Sequence, residues 1–228
     1  MTGPLKMVSS MATRELLAAL AAQYQRDSGI VVHAEAGGGV EIARRISAGE
    51  AADVVVLAST AIDKLMAEGR VAGARVDLVR SGIAMAVRAG AAQPAVAGEA
   101  DVKAAVLAAP SVSYSTGPSG VYLEQLFARW GILEQVRARI VVPPPGVPVG
   151  SLVADGRVAL GFQQLSELMN LAGISVLGPL PDAIQSLTTF SGGVCAASAQ
   201  QGAAAALLEF LASPRVAAIK HEAGMEPA

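Results

Sequence analysis

The feature that most constrains the fold is an alternation. Short apolar runs rich in β-branched residues give way repeatedly to stretches with helical periodicity. LKMVSS (5–10) precedes a helix predicted over Met11–Arg26, GIVVHAEA (29–36) precedes one over Val40–Ala48, and ADVVVLAS (52–59) precedes one over Thr60–Ala67. Strands alternating with helices of this length imply parallel βαβ units. The segment RVDLVRSGIAMAVR (75–88) is too long for one ordinary strand and is expected to cross between two lobes. A second series follows: helix Asp101–Ala108, strand Ser111–Ser115, helix Val121–Trp130, strand Ala138–Val142, a helix from Val149, strand Val158–Phe162 and helix Gln164–Asn170. SLTTFSGGVCAAS (186–198) then runs extended, and 203–224 supplies terminal helices. Two extended runs, one into the middle region and one out of it, are what two lobes with two connections require. The expected architecture is α/β, each lobe a mixed, mostly parallel sheet flanked by helices. Lobe 1 comprises 1–80 plus 185–228, lobe 2 comprises 81–184, and a ligand cleft is expected between them.

Several function classes are disfavoured by composition. A formal net charge of -2 and few aromatics argue against a nucleic-acid surface, which needs clustered cations or stacking rings. No apolar run approaches the roughly 18 residues that span a bilayer, so no membrane insertion is expected. The single Cys195 sits in the apolar context SGGVCAASA and reads as a buried, inert thiol. His33 and His221 lie too far apart for a spaced metal motif, so neither a metal nor a cofactor is expected. LLAALAA (16–22) follows Arg14-Glu15 and makes a poor export signal; it reads as part of the first helix. The protein is cytoplasmic if residue 1 is the native start, and periplasmic if a leader was removed.

Chemistry is expected at the loops. In an open α/β sheet, ligands bind beyond the carboxyl ends of the strands, where helix N-termini present unpaired N–H groups. Four such turns are built from small or hydroxyl residues: SSM (9–11), AGGGV (36–40), STGPSG (115–120) and PGVPVG (145–150). None contains Lys or Arg. Neutral N–H groups and hydroxyls can hold an anion through many hydrogen bonds without a counter-charge. Taken singly, the serines serve equally well as helix N-caps and the glycines as turn residues. The Gly-x-Gly-x-x-Gly and Gly-Lys-Ser/Thr spacings of nucleotide sites do not occur.

LKMVSSMATRELLAAL, GGVEIARRISAGEAADVVVLAS, and GSLVADGRVALGFQQLSEL with the later GPLP, IQ and FSGGV together resemble the type 2 periplasmic binding proteins, in their molybdate-binding-protein-like branch. The resemblance spans nearly the whole chain. It implies two lobes closing on an oxyanion or small carboxylate. Carried over by position, the ligand would be held by Ser9 or Ser10, by the loop at Gly38 and Gly39, by Thr116, Ser119 and Gly120, by the Val149 N–H, and by Gln163 at a strand end. The branch further implies a monomer and, if the protein is exported, an ABC transporter permease as partner. Two departures argue against molybdate: Gly37-Gly38-Gly39 replaces a serine loop, and Gln163 stands where many relatives have tyrosine. One relative of the branch is an isomerase of cis- and trans-aconitate, which leaves a second reading. A 1,3-proton shift needs a base near the allylic carbon and donors for a carbanion-like intermediate. Glu35, His33, Tyr114 and Tyr122 are the candidate bases. A ligand-free interaction module is the third and plainest alternative.

Overall fold

The computed structural model describes residues 3–144 and 146–228. In chain order its elements are β1 (Leu5–Ser10), α1 (Arg14–Ser28), β2 (Val32–Gly37), α2 (Gly39–Ser47), β3 (Val54–Ala58), α3 (Ser59–Ala67) and β4 (Val71–Arg88). There follow α4 (Glu99–Ala108), β5 (Val112–Tyr114), α5 (Pro118–Arg129), α6 (Leu133–Val136), α7 (Val149–Ala154), β6 (Leu160–Gln164), α8 (Leu165–Leu168) and β7 (Ile174–Pro179). The chain closes with β8 (Leu187–Cys195), α9 (Gln201–Ala212), α10 (Ala217–Glu222) and β9 (Glu226–Pro227). It divides into two units: the chain up to Ser81 together with Thr188–Ala228, and Gly82–Leu187.

The first unit is built on strands in the order β2-β1-β3-β8-β4. β1 pairs in parallel with β2 and β3, whereas β8 returns antiparallel to β3 with Ala58 opposite Phe190. Strand alternation divides the side chains between two cores. Leu5, Met7, Val54 and Val56 pack with Leu16 and Leu20 of α1 and Leu207 and Leu211 of α9. Val8, Val55 and Leu57 face the other way, onto Ile42 and Ile46 of α2 and Ile62 and Leu65 of α3. Burial on both faces explains why the β3 sequence is a continuous apolar run.

In the second unit, β6 pairs in parallel with β5 and antiparallel with β4, and β7 pairs antiparallel with β4 across a register shift at Met85/Ala86. Ile83, Met85, Val112 and Phe162 bury against Val102 and Val106 of α4 and Leu123 and Phe127 of α5. α7 covers the opposite face with Val149, Leu152 and Val153.

Two local expectations are corrected. The strand expected at Ala138–Val142 is absent: Arg137–Arg139 form a single 3-10 turn, and Ile140 makes only an isolated bridge to Val112. The Arg139 Nη1 donates to the carbonyls of Leu107 and Ala109 at 2.9 and 2.6 Å, which fixes the backbone in that turn. The helix expected over Gln164–Asn170 shrinks to Leu165–Leu168, because Gln164 completes β6 opposite Ile83. No single helix among the described residues is long and apolar enough to cross a membrane.

Candidate functional site

In the first unit, the carboxyl ends of the parallel strands β1, β2 and β3 bring the first two loops side by side. Ser9 and Ser10 end β1, in register with Ala36 and Gly37. Both serines are buried. The Ser10 carbonyl accepts from the Thr13 hydroxyl at 3.1 Å, and the Ser10 and Thr13 hydroxyls lie 3.5 Å apart. A Cβ placed on Gly39 would stand 3.6 Å from the Ser10 Cβ, so the head of α2 lies against the Ser10 side chain. Gly38 is the residue before α2, and its carbonyl accepts the first helical hydrogen bond, from Ile42. The N–H groups of the first turn of α2 have no acceptor within the helix. Ser59 and Thr60 open α3 at the end of β3 and extend this edge. Sequence reading passed over them, although LAST has the same hydroxyl-after-strand pattern as VSS.

In the second unit, β5 ends at Tyr114, and the chain turns through Ser115, Thr116 and Gly117 into α5. Pro118 takes the first helical position, where its missing N–H costs nothing. The Ser115 and Ser119 hydroxyls are 2.8 Å apart, and Ser119 is buried. Gly120 is obligatory here: a Cβ would overlap the Ser115 carbonyl oxygen and lie 2.8 Å from its carbonyl carbon. The loop opens on a pocket of about 330 Å³ lined by Tyr114, Ser115, Thr116, Gly120, Glu124 and Arg137, with Val121, Ile140 and Val142 as its apolar wall.

The fourth loop differs from expectation in detail. Pro145 lies outside the described residues. Val149 begins α7 and is buried, and Gln163 reaches this turn: its Oε1 accepts the Gly150 N–H at 2.9 Å while its Nε2 donates to Glu167 at 2.7 Å. Gln163 thus fixes the head of α7, and the buried amide is satisfied at both ends.

The four titratable candidates have different surroundings. Glu35 accepts from Arg45 at 2.7 Å, within a network that includes Lys6 and Glu50, and Arg45 holds its carboxyl below the usual carboxylate range. His33 is exposed on the same strand. The Tyr122 hydroxyl donates to the Ile184 carbonyl at 2.8 Å and serves packing. Tyr114 packs edge-on to Phe127 and lines the pocket. Burial, reinforced by Glu124, pushes its hydroxyl up against the opposing pull of Arg137, so it remains a protonated donor. Glu124 and Arg137 are pocket residues that sequence reading missed. Glu124 was detectable, because it stands four residues after Gly120 on one face of α5. Cys195 is buried and its thiol is pushed up to about 12 by burial and by Asp53, which makes it a poor nucleophile.

Comparison with known proteins comes from three directions. The family model described as bacterial extracellular solute-binding protein matches residues 5–226. An aconitate isomerase from Pseudomonas sp is 43% identical over 190 residues, which is 82% of this chain and 71% of that protein. Among solved structures, the periplasmic molybdate-binding protein of Azotobacter vinelandii superposes with a TM-score of 0.81 at 22% identity, covering 97% of this chain and 98% of that one. The sulfate-binding protein SubI of Mycobacterium tuberculosis H37Rv gives a TM-score of 0.81 at 16% identity, covering 100% and 88%. The α/β architecture expected from the alternation of strands and helices, and from the resemblance to the two-lobed type 2 periplasmic binding proteins, is the one these structures share.

Proposed function

Because this chain belongs to the bacterial extracellular solute-binding protein family, we propose that it binds a small polycarboxylate anion of the aconitate type through neutral donors. The observation that carries this reading is the head of α5. There Ser115, Thr116 and Gly120 line a pocket of about 330 Å³, and the Ser115 hydroxyl lies 2.8 Å from the buried Ser119 hydroxyl. That volume lies at the lower end of the roughly 300–1,000 Å³ typical of small-molecule sites, and gives room beyond the loop for a ligand with several functional groups. Within the same unit Thr116 offers a further hydroxyl, and Gln163 fixes the head of α7 at Gly150, beside the Val149 N–H; in the first unit Ser9, Ser10, Gly38 and Gly39 offer hydroxyls and N–H groups of the same kind. Donors of this kind recognise charge and shape together. As a solute-binding protein it would deliver its ligand to an ABC transporter permease.

The test is calorimetry of the purified protein with trans-aconitate, cis-aconitate, citrate, sulfate and molybdate. Binding of the tricarboxylates, and weaker or no binding of the tetrahedral oxyanions, is expected. Submicromolar molybdate binding without any carboxylate binding overturns the reading.

The aconitate isomerase relative supports a second reading, in which the bound tricarboxylate also reacts. The reaction would remove a proton from the methylene carbon of aconitate and return one to the far carbon of the allylic system, with no net loss of atoms or charge. Tyr114 and Glu124, together in the pocket, are the groups that would move that proton, in place of Glu35. Trans-aconitate incubated with the protein in deuterated water and followed by NMR separates the two readings. Deuterium in the allylic positions, abolished in Glu124→Gln or Tyr114→Phe, establishes the isomerase; binding without exchange leaves a carrier.

A further inference from the structure

The four loops expected to hold the anion contain no cation, yet the pocket beside the third loop has one. Arg137 follows directly on α6 and lines the pocket with Tyr114, Thr116 and Glu124. Its Nε and Nη2 are occupied by Glu134, at distances from 2.6 to 3.2 Å. Nη1 makes no hydrogen bond among the described residues. An arginine held by one face to a carboxylate on its own turn keeps its planar fork oriented, so a second carboxylate can be taken by the other face at little entropic cost.

We infer that this pocket is the subsite for one terminal carboxylate of the ligand, beside the Ser115–Gly120 loop, with Arg137 as the residue that selects a tricarboxylate over shorter anions. The inference rests on the polycarboxylate reading above. Three features of the pocket fit a carboxylate. The Tyr114 hydroxyl stays protonated and can donate to it. Thr116 offers a second hydroxyl, and Val121, Ile140 and Val142 form an apolar wall on one side. Glu124 is the opposing element: its carboxylate faces the same space and repels an over-charged ligand. With Glu134 paired to Arg137, Glu124 leaves one net negative charge around the pocket before the ligand arrives. That charge limits the pocket to a single carboxylate, taken at the Nη1 edge of Arg137 that Glu134 does not occupy.

The experiment compares trans-aconitate with itaconate, which lacks one terminal carboxylate, by calorimetry on the wild type, Arg137→Gln and Glu124→Gln. Arg137 is more than half exposed, and its removal leaves the buried core of the unit intact. The expected result is a loss of about tenfold or more for trans-aconitate in Arg137→Gln, at the weak end for hydrogen bonds between charged groups. Itaconate should change by less than about threefold, and Glu124→Gln should bind trans-aconitate several-fold more tightly. Wild-type binding of trans-aconitate that is unchanged in Arg137→Gln overturns this inference alone. An equal loss for both ligands also overturns it, since Arg137 would then act on any anion. No binding of either ligand by the wild type overturns the proposed function, and this inference with it.

Discussion

Substituting Gly120 with alanine tests whether the third loop is as tightly built as its geometry requires. Gly120 lies in the first turn of α5, and its N–H bonds to the Gly117 carbonyl at 3.0 Å. The atoms in the way of a Cβ are the backbone oxygen and carbon of Ser115, with the Tyr114 ring 3.1 Å away. Contrast Gly150, where a Cβ meets the movable ends of Leu171 and Leu168 at 2.6 and 3.0 Å. Backbone cannot swing aside as a leucine methyl can. The cost should therefore reach the upper end of the roughly 1–3 kcal/mol typical of overpacking. With a urea dependence of about 2 kcal/mol per molar, a loss of about 3 kcal/mol lowers the midpoint by about 1.5 M. Gly117→Ala, in the same loop, is the control: its Cβ would meet only the Ser115 hydroxyl at 3.7 Å. That change should cost no more than about 1 kcal/mol, as for an N-cap glycine. Urea unfolding followed by circular dichroism gives both midpoints, and calorimetry with trans-aconitate reads the damage to the loop in whatever folded Gly120→Ala protein remains. Equal midpoints for the two variants, or wild-type affinity in Gly120→Ala, would refute the reasoning.

Three further outcomes are expected. Ser10→Ala and Ser119→Ala should each weaken tricarboxylate binding by about 1.5–3 kcal/mol, the range for hydrogen bonds to charged groups, with little change in the unfolding midpoint; unchanged calorimetric affinity in both removes these hydroxyls from the site. Lys220 is buried, its Nζ donates to the Leu78 carbonyl at 2.9 Å, and burial lowers its pKa from the ordinary 10.5. The folded protein thus sheds this proton at lower pH than the unfolded chain, so stability from this group rises with pH towards 10.5. Lys220→Met should abolish that rise in urea titrations above neutrality, and cost less than about 1 kcal/mol at pH 7, because Leu78 keeps a 3.4 Å bond from the Ala228 N–H. Glu50, held down to about 2 by hydrogen bonds from Arg45 and Lys6, contributes stability above pH 4.5 that is lost as pH falls through about 2. Glu50→Gln should remove this acid limb and cost at most about 1 kcal/mol at neutral pH, as for a surface pair; an unaltered acid titration would show that the network does not hold in solution.

The first unit was the more legible in sequence, and the reason is local. β1, β2 and β3 are each followed directly by a helix, so hydrophobic period and turn chemistry change together at Ser10, Gly38 and Ala58. In the second unit the local signals conflict. Ala138–Val142 has strand-like composition, but Arg139 is drawn to the carbonyls at the end of α4, a distant partner that no window of sequence reveals. β7 was missed because ISVLGP carries Gly178 and ends in Pro179, residues that read as loop and are tolerated on an edge. At the site, the serines and glycines were visible as punctuation between strand and helix. Arg137 was not, since it reaches the Ser115–Gly120 loop from beyond α6 and no spacing in the sequence links the two. Gln163 was seen, but its service to the Gly150 N–H depends on a pairing of β6 and α7 that only the folded chain displays.

The position of β8 between β3 and β4 has a consequence for synthesis. The unit that begins the sheet is synthesised before Gly82–Leu187 and yet is completed after it, since its sheet lacks an interior strand and the helices α9 and α10 until residues 188–222 are made. The whole of Gly82–Leu187, contiguous in sequence, can fold in the interval. Until then the flank of β3 presents open backbone N–H and C=O groups beside some of the most apolar sequence in the chain, VVVLA. That is the edge on which nascent copies would pair with one another. Chaperone dependence and aggregation in this protein should therefore follow the speed with which residues beyond 188 arrive, more than the intrinsic stability of either unit.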